Sequence, residues 1–179
     1  MIFPIDEKII VLDETQKFVV ELKKMEDSNL LNVLEIETKC FPDPWPIKSF
    51  EECLVNCECL ILVKHHTNQF DASIPVHNSC IMGFFIGSET LDEYTIENVA
   101  ILPEYQGKGY GFYMISTIIK NHKNKFANYF LDVRKNNFNA INLYKKLGFE
   151  PLYERKQYYL NPLEDAIVMR KELKREKDE

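Results

Sequence analysis

Two periods alternate along the hydrophobic positions of this chain, and each switch between them marks an element boundary. Phe18-Val19-Val20-Glu21-Leu22 is a β-branched run that reads as a first strand. Leu30, Leu31, Leu34, Ile36 and Cys40 then follow helical spacing behind Ser28, a residue type suited to an N-cap. That helix must stop at Phe41-Pro42-Asp43-Pro44-Trp45-Pro46, because each proline removes a donor and restricts its predecessor. Ser49 to Asn56 reads as a short second helix. Cys59 to Lys64 and Ile81 to Ile86 are strands, and the polar stretch His65 to Ser79, which carries Pro75, is expected to be a loop between them.

The second half repeats the alternation. Thr95, Ile96, Val99 and Ile101 form a strand that ends at Leu102-Pro103, with Glu97 on a face shared with Thr95 and Val99. Phe112, Met114, Ile115, Ile118 and Ile119 return to helical spacing. Tyr129 to Arg134 is a strand with Phe130, Asp132 and Arg134 on one face. Asn137 to Leu147 is a helix with Ala140, Ile141, Tyr144 and Leu147 on one side, closed by Gly148 as C′ residue. Leu152 to Tyr159 and Ala166 to Arg170 are the last strands. Residues 1 to about 16 read as an N-terminal extension and Lys171 to Glu179 as a charged tail. With no internal repeat and no linker, residues 1–179 are expected to form one α+β domain.

Composition narrows the function. The chain of 179 residues is long enough for a genuine core. A net charge of −6 with no basic stripe argues against binding nucleic acid directly. The first residues lack a basic segment followed by an apolar one, and no apolar run approaches the roughly 20 residues that span a bilayer. Five cysteines (Cys40, Cys53, Cys57, Cys59, Cys80) without framework spacing read as reduced thiols, so the expectation is a cytoplasmic protein with no membrane contact. Together with His65 and His66 these cysteines lack the recurring pair spacing of a zinc site, so no metal is expected; His77 and His122 read as a loop and a helix-surface residue.

The chemistry concentrates in Asn98 to Gly111, N-V-A-I-L-P-E-Y-Q-G-K-G-Y-G. A strand leads through a glycine-rich turn into a helix, which is how backbone N–H groups and a helix dipole are aimed at a phosphate. Gln106-Gly107-Lys108-Gly109-Tyr110-Gly111 is not a Walker motif, since no Gly-Lys-Ser/Thr closes it. Nor is it a dinucleotide fingerprint, because Phe112 stands at the third glycine.

Q-G-K-G-Y-G behind N-V-A-I-L-P-E-Y resembles the Q/R-x-x-G-x-G/A acetyl-CoA motif of the GNAT N-acetyltransferases. Leu131-Asp132-Val133-Arg134, Asn137, Ala140, Leu143-Tyr144 and Leu147-Gly148-Phe149 resemble its L-E-V-R…N…A…L-Y…L-G-F block. Cys40-Phe41-Pro42-Asp43-Pro44-Trp45 resembles the C/A-F-P-x-x-W turn of the N-terminal-acetyltransferase branch, which includes the RimI enzymes. Tyr158-Tyr159 and Asp165-Ala166 resemble that branch's N-Y-Y…D-A block. The four blocks stand in family order over about residues 18 to 172.

The resemblance implies a GNAT fold: a mixed, mostly antiparallel sheet of about seven strands, splayed between strands 4 and 5, with helices on both faces. It implies acetyl-CoA as co-substrate, held through the backbone of Val99, Ala100 and Ile101, through Gln106, Gly107, Lys108, Gly109, Tyr110 and Gly111 at the pyrophosphate, and by Asn137. An N–H in this stretch, that of Val99, would hold the developing oxyanion, a contribution worth about 10²–10³ in rate. Tyr144 matches the tyrosine that protonates the departing thiolate. Asp132 stands where RimI-type enzymes carry a glutamate base and is one methylene shorter; Glu97 is the competing base, since other branches place a catalytic residue on that strand. Phe41, Pro42, Tyr158 and Tyr159 would line the acceptor groove.

The implied reaction is direct attack in a ternary complex, with no acyl-enzyme, on the N-terminal α-amine of a protein or peptide, a ribosomal protein among the candidates. An auxiliary subunit or the ribosome is a candidate partner. Two alternatives stand beside it: a lysine side chain or small amine as acceptor, and a weakly active acyl-CoA-binding or complex subunit.

Overall fold

The computed structural model describes residues 8–12, 17–68, 71–123 and 125–173. Its strands are β1 (Lys8–Leu12), β2 (Lys17–Lys24), β3 (Glu58–Asn68), β4 (Asp71–Thr90), β5 (Glu93–Ile101), β6 (Asn128–Arg134), β7 (Glu150–Leu160) and β8 (Leu163–Glu172). The helices are α1 (Leu30–Cys40), α2 (Ile47–Asn56), α3 (Tyr110–Asn121) and α4 (Phe138–Lys146). The strands form one sheet in the order β1-β2-β3-β4-β5-β6-β8-β7. Every neighbouring pair is antiparallel except β5 and β6, which run parallel.

The seven strands read from the sequence are all present, and Lys8–Leu12 of the supposed extension adds an eighth at the edge of β2. Within the stretch expected as a loop from His65 to Ser79, the described residues 65–68 and 71–79 instead extend β3 and β4, with irregular register between His65 and Asn68. Tail residues 174–179 lie outside the described part of the chain.

Each face of the sheet carries its own core. On one face α3 and α4 bury Tyr110, Met114, Ile115, Ile118, Ile141 and Tyr144 against Val20, Leu62, Phe85, Ile96 and Leu131. On the other, α1 and α2 bury Leu30, Val33, Ile36 and Phe50 against Ile61, Phe84, Ile86 and Ala100. Helices on both faces of a mixed sheet are the architecture that the motifs imply.

Helix phases are where the sequence reading slips. Ser28 is not a cap: it lies in a 3₁₀ turn (Asp27–Asn29) whose capping box is closed by Glu26 and Asn29, with the Glu26 N–H donating to Asn29 Oδ1 at 2.9 Å. The buried stripe of α1 is Leu30, Val33, Ile36 and Glu37, which turns Leu31 out to 78% exposure. Phe112 likewise points outward from α3.

Sheet geometry sets up the site. β5 and β6 pair only from Glu93–Ile96 against Asn128–Leu131, and beyond that point the parallel strands part. Across β5 the register with β4 jumps from Gly87↔Ile96 to Ile86↔Asn98, so Glu97 is the extra residue of a β-bulge. The bulge inverts the alternation. Ile96 packs on the α3 side, yet so does Val99, while Ala100 turns to the α1 side. Glu97 therefore does not share a simple strand face with Val99.

Candidate active site

At the mouth of the splay the glycine turn follows β5. Leu102 donates to the Met82 carbonyl at 2.8 Å, and Pro103–Tyr105 form one 3₁₀ turn. Gly107 (φ +74°) and Gly109 (φ +87°) occupy left-handed backbone, which a side chain would strain. A Cβ built on either would meet nothing within 4 Å, so conformation and not crowding selects glycine there. At Gly111 the reason differs: a Cβ would come 3.2 Å from Leu143 Cδ2, so glycine keeps α3 close to α4. The open turn runs into the first turn of α3, whose N–H groups have no helix carbonyl to reach. Lys108 is exposed beside it, with its ammonium 5.7 Å from the Tyr105 ring.

Two predicted ligand residues have structural work. Gln106 Nε2 donates to the Ile101 carbonyl at 2.7 Å, tying the turn to the end of β5. Cys40 Sγ approaches the same oxygen at 3.3 Å. Any part for Gln106 at a phosphate therefore falls to its backbone. Asn137 is the N-cap of α4, its Oδ1 accepting from Ala140 N at 3.2 Å.

On the β6 side the predicted catalytic residues converge. Asp132 is half-buried, and its Oδ2 accepts from Arg155 Nη1 at 2.7 Å. Strand alternation puts Arg134 on the same face as this carboxylate. Arg134 is spent elsewhere, on the carbonyls of Asn161 (2.9 Å) and Pro162 (3.1 Å) and on Glu164 (3.2 Å), and so holds the β7–β8 turn. Arg155 also covers the Tyr158 ring at 4.0 Å, and Tyr158 is hydrogen-bonded to Asp132. Burial raises the Tyr158 hydroxyl above its ordinary range, with the Asp132 charge adding to the shift. Glu97 adds to the same electrostatic neighbourhood and accepts from Ser88 Oγ at 2.5 Å.

Tyr159 sits beneath Arg134, 4.2 Å from the guanidinium, and is raised to about 12 by burial and then by Asp132. Its neighbour Tyr144 is 7% exposed on α4, edge-on to Phe149. Burial, with Tyr159 second, holds the Tyr144 phenol well above the usual tyrosine range, so it stays protonated. Asp132 is hydrogen-bonded to Tyr158, the Tyr158 and Tyr159 rings lie 5.1 Å apart, and Tyr144 feels the Tyr159 hydroxyl, so the four side chains make a polar row inward from Asp132, with Glu97 near its outer end.

Tyr158 and Tyr159 owe their positions to another bulge. The β7–β8 register slips between Arg155 and Tyr159, and Gln157 has φ +52°. Asp165 pins the bulge by accepting from Gln157 N at 3.0 Å and Lys156 Nζ at 2.8 Å. On the far side of β5, Phe41 is half-buried against the α1 core and Pro42 is exposed. A separate groove of about 580 Å³ lies between α1 and β2–β4, lined among others by Asn32, Ile36, Val63, His65 and Tyr105. None of the sequence-predicted site residues lines it.

Two residues that the sequence leaves unmarked belong to the site's frame, Arg155 and Glu37, and Asp165, present in the sequence as part of the D-A block, has the structural task of pinning the β7 bulge. Glu37 falls four positions after Val33, on the stripe of α1 that the structure buries. Among the described residues no group of three or more His, Cys, Asp or Glu side chains could hold a metal ion, and no helix is long and apolar enough to cross a membrane.

Residues 30–149 match the family model described as acetyltransferase (GNAT). A putative ribosomal protein bS18-alanine N-acetyltransferase of Bacillus subtilis (strain 168) is 34% identical over 155 residues, which is 86% of this chain and 94% of that protein. The ribosomal protein bS18-alanine N-acetyltransferase of Escherichia coli (strain K12) is 30% identical over 154 residues, with 83% and 94% covered. A crystal structure of the Escherichia coli ribosomal-protein-S18-alanine N-acetyltransferase aligns with a TM-score of 0.73 at 28% identity, over 89% of this chain and 97% of that one. The glycine turn, both strands of the splay, Asp132 and Tyr144 fall within the residues that the family model matches, and the chain belongs to the GNAT family of acetyltransferases.

Proposed function

We propose that this enzyme moves acetyl from acetyl-CoA to the N-terminal α-amine of a protein, with a ribosomal protein as the acceptor class that the names of its relatives point to. The carrying observation is the polar row: a half-buried carboxylate, Asp132, stands at one end beside Tyr158, and a buried, protonated phenol, Tyr144, at the other beyond Tyr159, where β5 and β6 part. A direct transfer needs a proton acceptor outside and a proton donor inside, and this row supplies both.

The donor fits this chain. Gly107, Gly109 and the first turn of α3 offer an open, left-handed cradle for the pyrophosphate, assisted by Lys108 and the backbone of Gln106, Tyr110 and Gly111. The parted half of β5 offers Val99 and Ala100 to the pantetheine, with the Val99 N–H holding the oxyanion, while the Ile101 carbonyl stays with Gln106. Asn137 contributes through its amide nitrogen, its oxygen being the cap of α4. When bound, acetyl-CoA supplies the activated acyl group.

Asp132 takes the proton of the incoming ammonium, directly or through one water, and that ammonium replaces the Arg155 guanidinium as its cationic partner. An α-ammonium needs only a modest base, its ordinary pKa being about 7.7–8.0. Glu97 is the competing base, a reading favoured by its freedom from Arg155. Tyr144 gives its phenol proton to the departing thiolate. Phe41, Pro42, Tyr158 and Tyr159 line the acceptor groove. The reaction belongs in the cytoplasm, where an auxiliary subunit or the ribosome presents the acceptor.

Thiol release from acetyl-CoA is the test. Peptides with a free N-terminus should turn over, while N-blocked, lysine-containing ones should not. Turnover of the blocked peptides assigns a lysine acceptor instead, and no peptide-dependent release assigns a binding or assembly subunit.

A further inference from the structure

Glu37 is the most buried carboxylate among the described residues, 1% exposed on the last turns of α1, and none of the catalytic steps uses it. Its two oxygens divide between two segments. Oε1 accepts from the Trp45 backbone N–H at 2.9 Å, in the Phe41–Pro46 turn. Oε2 accepts from Asn98 Nδ2 at 3.1 Å, next to the bulge residue Glu97 and before Val99. Burying a carboxylate costs several kcal/mol unless hydrogen bonds offset it. Here they offset it only in part, for burial still raises the carboxyl above its ordinary range. A group held at such cost in a helix whose other buried positions are Leu30, Val33 and Ile36 has a task that leucine could not perform.

We propose that Glu37 is a positioning residue that fixes the distance between the acceptor turn and the bulged catalytic strand. Trp45 is anchored in turn against Phe50, ring centroids 5.8 Å apart, and Phe50 against Phe84 of β4 at 5.7 Å. Those aromatic contacts hold the turn to the core but leave its register along β5 undefined. The Glu37 carboxylate defines it, because it needs both donors at once. Phe41 and Pro42, in the same turn, are thereby held at one position along β5. The inference rests on the reading of the Phe41–Pro46 turn as the acceptor wall.

The experiment uses the full chain and compares Glu37→Gln, Asn98→Asp and the double variant Glu37→Gln with Asn98→Asp. A glutamine at 37 keeps an acceptor for Trp45 but sets its NH₂ against that of Asn98; an aspartate at 98 restores the bond with its polarity reversed. Each single variant should raise the KM for a free-N-terminus peptide about tenfold and leave the KM for acetyl-CoA within about twofold. Trp45 is the sole tryptophan, so its fluorescence reports the turn independently of turnover. Acrylamide quenching of Trp45 should increase in the singles and return to the wild-type value in the double variant, together with the peptide KM. An unchanged peptide KM in both singles alongside a lower melting temperature overturns the proposal, leaving Glu37 a purely structural group. A double variant that recovers neither KM nor quenching also overturns it. A wild-type chain that does not turn over free-N-terminus peptides defeats the acceptor reading alone, and the Trp45 quenching series then decides whether Glu37 holds the turn.

Discussion

The same two parallel strands, β5 and β6, are built in opposite ways at their two ends. At the base they pair from Glu93–Ile96 to Asn128–Leu131, and an aromatic and ionic cluster closes over them. Tyr94 donates to Glu58 Oε2, which also meets His122 Nε2 at 3.0 Å, while His122 Nδ1 meets the Tyr129 hydroxyl at 3.0 Å. Tyr94, His122, Phe126 and Tyr129 pack with ring centroids 4.6 to 5.9 Å apart. At the mouth no strand pairing crosses the gap, and Asp132, Glu97 and Tyr158 keep contact with solvent. A splay of fixed width needs a rigid closure below it. The base withdraws Glu58 and His122 from solvent into hydrogen bonds with each other and with tyrosines, whereas the mouth keeps its bonded carboxylates in reach of an incoming group.

Removing charge at the mouth should give the largest change, and it should be kinetic. Asp132→Asn is expected to lower kcat about 10²–10³-fold, and Glu97→Gln about tenfold or less, with melting temperatures close to wild type. Initial rates across pH for both variants check the assignment; the reverse order makes Glu97 the base. A loss of several degrees in either variant would show that the mouth also carries stability, and the contrast with the base would dissolve.

Breaking the base should do the converse. His122→Ala leaves the half-buried Glu58 carboxylate with Tyr94 as its remaining hydrogen-bond donor among the described residues, a loss of about 2 kcal/mol or roughly 4–8 °C in a chain of this size. The remaining folded protein should keep its kcat and both KM values within about twofold. Calorimetry beside steady-state rates decides it. A selective loss of kcat would mean that the base sets the splay dynamically and not only as a fixed clamp.

A smaller effect is expected at the glycine turn, which belongs to the mouth but carries no reacting group. Gly109→Ala forces a Cβ onto φ +87°, about 1–2 kcal/mol of strain with no clash to relieve. The KM for acetyl-CoA should rise several-fold while the peptide KM stays put. Equal movement of both constants would argue that the turn positions the acceptor as well.

Legibility followed the same divide. Regular strands and the four motif blocks could be read because their information is local: period, proline, glycine and order along the chain. The matched family and its two-faced sheet confirm that reading. What escaped it was long-range and often hinged on a one-residue slip. The Glu97 bulge inverts which side Val99 faces, and no periodicity within β5 announces it. Arg155 likewise reaches Asp132 from another strand, where strand alternation alone would favour Arg134. His122 was read as a helix-surface residue, yet its side chain is 10% exposed, because its partners Glu58 and Tyr129 arrive from β3 and β6. Only the fold puts Glu37 on the buried stripe of α1 and brings its donors, Trp45 and Asn98, to it.

The finest test separates the two ends by pH, because their buried carboxyls are displaced in opposite directions. Burial alone would raise Glu58, but the hydrogen bonds from His122 and Tyr94 outweigh it and hold the carboxyl below its ordinary range. A depressed folded value stabilises the protein above the unfolded value of about 4.3 and loses that stabilisation as pH falls through the folded one. Glu37 has the reverse sign: burial exceeds what Trp45 and Asn98 return, so the folded carboxyl binds its proton more tightly. Its contribution is complete below about pH 4.3 and is lost as pH rises through the raised folded value. Urea midpoints measured across this range should show Glu58→Gln flattening the slope on the acid side and Glu37→Gln flattening it on the other. If one substitution removed both slopes, the two ends would be a single coupled network, and the idea of an independent clamp beneath a tunable mouth would fail.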